Sequence, residues 1–111
     1  MGRRNGGNTL GASVTPVGDG SGPPGAGPIL VAGEASLAVL EAMKSLNRDL
    51  SVLDRGSYWR VSAPIACRLT REAVEKRLGK AFRLPADLEA VMPSFAGRFF
   101  VNEEEARWVT A

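Results

Sequence analysis

Glycine and proline are distributed so unevenly along the 111 residues that they divide the chain in two. Residues 1–27 hold nine of the thirteen glycines and three of the seven prolines, with almost no large apolar side chain. Such a stretch cannot bury enough surface to offset the entropy of ordering it. A flexible, disordered N-terminal tail is expected there, leaving residues 28–111 as one compact domain. A domain of that size buries only about 60–65% of the surface its unfolded chain exposes, so its margin of stability is thin. Cys67 is the single cysteine and offers no internal disulfide, which points to a reducing, cytoplasmic compartment. Arg3-Arg4 is followed by glycines instead of an apolar run, so no signal peptide is expected. The apolar runs are far too short to span a bilayer.

Within residues 28–111 the hydrophobic pattern is that of a small α+β domain. Residues 28–32 form a short, β-branched apolar run, read as a strand closed by Gly33. A helix is predicted over residues 35–46, capped by Ser36, with Leu37, Leu40, Met43 and Leu46 as its apolar stripe. Residues 50–53 and 58–62 read as a hairpin, because Asp54 with Gly56 two residues on is a turn signal. Pro64 limits the next segment, residues 65–69, to an edge or an irregular start. Thr70 is placed to cap a helix ending at Leu78, with Gly79 as its left-handed stop. Residues 85–90 read as a short helical turn, and residues 99–110 as a last hairpin around Asn102-Glu103-Glu104-Glu105. The expected order is β-α-β-β-β-α-(turn)-β-β, with two main helices and one antiparallel sheet.

Charge and composition exclude several function classes. Net charge is +2, and the tail supplies Arg3, Arg4 and Asp19, so the remainder is near neutral. Nucleic acid rewards a clustered basic face. A small α+β nucleic-acid-binding module with a basic arm is therefore the alternative reading, not the first. The chain has no histidine, the residue on which proton transfer and transition-metal binding most depend. No cofactor, metal or catalytic residue is expected. The Gly-x-Gly-x-x-Gly pattern at residues 20–25 precedes the first strand and contains Pro23-Pro24, which removes two N–H donors, so it is no dinucleotide site. Three consecutive glutamates cannot converge on one metal from a turn, and Cys67 lacks the basic partner of a nucleophile.

Pro93-Ser94-Phe95-Ala96-Gly97-Arg98-Phe99-Phe100-Val101 holds three of the four phenylalanines. Gly97 breaks this apolar run, which suggests a strand bulge that presents Arg98 outward. The segment Ser94-Phe95-Ala96-Gly97 also resembles the "SFAG" segment of the effector, or coupling, proteins of bacterial multicomponent diiron monooxygenases. Other pieces agree in order. Gly27-Pro28-Ile29-Leu30 with Gly33-Glu34 is similar to that family's "GPI-x-x-xGD" opening, and residues 52–58 to its "V-x-D-x-x-x-Y" hairpin. Leu69-Thr70-Arg71 and Leu78-Gly79-Lys80-Ala81-Phe82 resemble its "LTR" and "LG-(R/K)-x-F" segments. The resemblance spans about residues 27 to 110 and is closest to members serving toluene, phenol and alkene hydroxylases.

The resemblance implies a compact α/β core and a regulatory protein without cofactor. Such a protein binds the diiron hydroxylase and modulates its active site, turnover and coupling, and it has no need of nucleic acid or membrane. A monomer is expected when the protein is free. Candidate contact residues are Asn47, Arg48, Arg55, Tyr58, Ser94, Phe95, Gly97 and Arg98. Of the aromatic residues, core packing accounts for most, and one or two left exposed would be interface anchors.

Overall fold

The computed structural model describes residues 25–111. Those residues form seven strands and three helices. In chain order they are β1 (Gly27–Val31), α1 (Glu34–Leu46), β2 (Ser51–Asp54), β3 (Tyr58–Ser62), β4 (Ala66–Thr70), α2 (Arg71–Leu78), α3 (Ala86–Val91), β5 (Ser94–Ala96), β6 (Arg98–Val101) and β7 (Glu105–Val109). The expected tail lies outside the described residues up to position 24. From there the chain is already paired: Ala26 exchanges backbone hydrogen bonds with Ala63, and Gly27 opposes Ala96.

The strands build two antiparallel sheets, not the one sheet expected. One has the order β2-β3-β1-β5 and the other β4-β7-β6. The segment read as one kinked strand is two strands, β5 on the edge of the first sheet and β6 on the edge of the second. Gly97 is therefore a corner between sheets and not a bulge within one. Its φ is +89°, and an added Cβ would lie 2.6 Å from the Val109 carbonyl oxygen and 2.7 Å from Ala26 Cβ. Only glycine combines that backbone conformation with that approach.

Local signals elsewhere act as the chemistry requires. The Ala73 N–H donates to Thr70 Oγ1, capping α2, and Gly79 closes the helix with φ +79°. The Gly56 N–H donates to Asp54 Oδ1 across the β2–β3 turn. Strand β4 is an edge strand that starts at Ala66, within what Pro64 allowed. Helix α1 departs from expectation: it starts at Glu34, so Ser36 is buried inside the helix and caps nothing. The helix is also rotated. Val39, Leu40, Ala42 and Met43 face the core, while Leu37 is 46% exposed. Two sheet faces and α2 leave α1 a broad contact, and the buried arc takes in small residues that a stripe of large ones overlooks.

The core lies between the helices and one face of each sheet. It joins Leu30 and Val61 of the first sheet, Leu69, Ala106 and Trp108 of the second, and Val39, Met43, Val74 and Leu88 of the helices. Phe95 and Phe99 are 5.2 Å apart between ring centroids, and Phe99 stacks at 5.2 Å on fully buried Trp108. These three rings bridge the two sheets just beneath the Gly97 corner.

Candidate functional site

Side chains alternate across a strand, and directly opposed residues share a face. Leu30, opposite Trp59, points into the core. The alternate row therefore lies on the other face of the first sheet: Leu53 opposite Arg60, Arg60 opposite Ile29, Ile29 opposite Ser94. Val31 and Tyr58 form the adjoining pair on that face. Two of the expected contact residues, Tyr58 and Ser94, thus share an outer face with Ile29, Val31, Leu53 and Arg60.

The other expected residues divide by role. Phe95 points inward and joins the aromatic bridge. Gly97 shapes the corner. Asn47 is a clamp: its Nδ2 donates to the Met43 and Arg68 carbonyls, and its Oδ1 accepts from the Arg68 N–H. That amide ties the end of α1 to β4. Arg48 is exposed and, with Pro64, Ile65 and Ala66, lines a shallow cavity of about 240 Å³. Ile65 there is 74% exposed. Arg55 occupies the β2–β3 turn, where its N–H donates to the Tyr58 carbonyl. Arg98 is exposed on β6. The eight residues do not converge on one point. Asn47, Arg48, Gly97 and Arg98 lie toward the end of the sheets where Ala26 meets Ala63, and Arg55 and Tyr58 lie at the opposite end of the first sheet.

Beyond Gly97 the even-numbered residues continue outward. Ser94 and Ala96 lie on the outer face of β5, and Arg98 and Phe100 on that of β6. Phe100 is 41% exposed, and the guanidinium carbons of Arg98 and Arg107 sit 5.4 and 5.3 Å from its ring centroid. Phe100 and Arg107 were not among the expected contact residues. The strand alternation after Gly97 carried the signal, since Phe99 inward forces Phe100 outward.

Among the described residues no carboxylate cluster is assembled for chemistry. Glu105 pairs with Arg68 at 3.3 Å, and Glu104 with Arg71 at 2.8 Å, so the glutamates of the 102–105 turn diverge. The Glu75 carboxylate is held below its ordinary range, first by the Phe82 backbone N–H and then by Arg71. Asp87 is lowered chiefly by the Arg83 backbone N–H. Both serve to fasten helix ends. Burial pushes the Cys67 thiol up to about 12, which removes it as a nucleophile. Among the described residues no group of acidic, cysteine or histidine side chains is arranged to hold a metal ion. No described helix is long and apolar enough to cross a membrane.

The family model described as MmoB/DmpM matches residues 25–109, nearly all of the described chain. The effector subunit of the alkene monooxygenase system of Xanthobacter autotrophicus is 40% identical over 84 residues, covering 74% of this chain and 82% of the relative. Similar folds occur in a chain from a phenol hydroxylase–regulatory protein complex (TM-score 0.68, 18% identity, 76% of this chain and 95% of that one). Soluble methane monooxygenase regulatory protein B is also similar (TM-score 0.58, 19% identity, 75% of this chain and 62% of that one).

Proposed function

The chain belongs to the MmoB/DmpM family, and from that premise we propose that it is the non-catalytic effector subunit of a multicomponent diiron monooxygenase, acting in the cytoplasm. The observation that carries this reading is the 40% identity with an alkene monooxygenase effector subunit. The hydroxylase class it favours is accordingly one that oxidises alkenes. The protein contributes binding free energy and no reacting group. An effector of this kind shifts its partner between conformations only by its differential affinity for them. A tenfold preference for the active hydroxylase conformation corresponds to about 1.4 kcal/mol, which a few well-placed contacts supply.

The outer residues Ser94 and Tyr58, the exposed Arg98 and the flanking Arg48 and Arg55 are the proposed contacts. Phe95, Gly97 and Asn47 act beneath them by holding the surface in shape. Before docking, the protein is a monomer.

The test is titration of the purified protein into the diiron hydroxylase, with alkene turnover followed in the presence of reductase. Saturable binding with an altered rate or coupling is expected. Arg98→Ala should weaken binding by about 1–2 kcal/mol, as an exposed interface arginine does, and leave folding stability within about 0.5 kcal/mol. A protein that neither binds the hydroxylase nor changes its turnover would end this reading.

A further inference from the structure

The outer face of the three-stranded sheet has an unusual composition for a face left in water. Arg68 on β4 lies directly opposite Arg107 on β7, and Arg107 lies directly opposite Phe100 on β6. Arg98 is on the same face, opposite Val109. Like charges directly opposed destabilise a sheet. Here the chain places two arginines in register and sets an exposed phenylalanine beside them. Glu105 is the acidic residue on this face, and it pairs with Arg68. Three arginines against one glutamate give the face +2, whereas twelve basic and eleven acidic residues give residues 25–111 only +1 in all. The excess positive charge of the domain is therefore gathered around Phe100.

The two guanidinium groups rest against the Phe100 ring at 5.4 and 5.3 Å. That arrangement holds the arginines out from the sheet in defined positions, with their forks ready for bidentate contact to carboxylates. Aromatic residues and arginine are the types that dominate interface energetics. The surface also continues the one described above, because Ser94, Ala96, Arg98 and Phe100 form one outward row around the Gly97 corner.

We propose that this face, centred on Phe100 with Arg68, Arg98 and Arg107, extends the docking surface and receives a carboxylate-bearing patch of the hydroxylase, an inference that rests on the function proposed above. An apolar group of the partner covers Phe100, and acidic side chains pair with the arginines. Nucleic acid fits less well, since successive bases need successive stacking platforms and Phe100 is the aromatic residue that this face exposes.

The experiment measures hydroxylase binding by the wild-type protein, Phe100→Ala and Arg107→Glu over a range of salt concentrations, with thermal unfolding as the folding control. Arg107→Glu places an acid opposite Arg68 and so keeps the sheet paired. Wild-type affinity should fall with salt, as charge-steered association does. Each variant should bind at least tenfold more weakly with little change in thermal midpoint, and Arg107→Glu should lose much of the salt dependence. Variants that bind like the wild type, while the wild type binds and alters turnover, overturn this surface and leave the effector function standing. Failure of the wild type to bind overturns both. A single-stranded oligonucleotide bound tightly by the wild type and released by both variants would assign the face to nucleic acid instead.

Discussion

Gly97, Gly56 and Gly79 all have positive φ, of +89°, +84° and +79°. Their surroundings differ. An added Cβ meets nothing within 4 Å at Gly56 or Gly79, but at Gly97 it lies 2.6 Å from the Val109 carbonyl oxygen and 2.7 Å from Ala26 Cβ. Substitution by alanine at the two open sites measures the left-handed strain alone, about 1–2 kcal/mol. At Gly97 the same strain adds to an overlap with backbone that must move, because carbonyl oxygens in a sheet cannot rotate away. We expect Gly97→Ala to cost about 2–5 kcal/mol, combining strain of about 1–2 kcal/mol with overpacking of about 1–3 kcal/mol. For a domain of this size each kcal/mol lowers the thermal midpoint by about 4–8 °C, so the midpoint should drop by at least about 8 °C. Thermal and urea unfolding of the three alanine variants side by side isolates the crowding term. A Gly97→Ala protein no less stable than Gly79→Ala would refute the close approach of the two sheets at this corner. Gly33→Ser is the control: its position is extended, with nothing within 4 Å, and serine is a good N-cap, so stability should hold or rise slightly.

Two further outcomes follow from titratable groups. Glu75 and Asp87 are held below their ordinary values of 4.5 and 3.8, so each is more acidic folded than unfolded. Their contribution is present above those ordinary values and is lost as pH falls through the lowered folded ones. Stability should therefore decline on acidification below pH 4.5, and Glu75→Gln should make that decline shallower; a parallel acid profile would show that the Phe82 and Arg71 contacts do not matter. Cys67, with its thiol pushed up to about 12, should react with a thiol reagent at pH 8 only as fast as the domain opens, since roughly one thiol in ten thousand is ionised there. Stoichiometric labelling of the native protein within minutes would contradict its burial.

Much of the local structure was legible without coordinates, and the reason is range. A helix cap such as Thr70, a left-handed stop such as Gly79 and the Asp54–Gly56 turn are each decided by a few neighbouring residues. The five family-like segments also stood in the sequence, and the family model matches the span that holds them, residues 25–109. The absence of histidine was equally plain, and it turned the reading away from catalysis.

Pairing between distant strands was not legible, because alternation along a strand is the same whether the strand joins one sheet or another. Only the fold divided Ser94–Ala96 from Arg98–Val101 and sent them to different sheets. That division made Gly97 a corner, turned Phe95 and Phe99 onto Trp108, and left Phe100 outside between two arginines. The same limit applies to α1, where the sequence marks an amphipathic helix but its neighbours choose the buried arc. Val39 and Ala42 go in and Leu37 stays out, because burial is settled by the shape of the space that the two sheets and α2 leave.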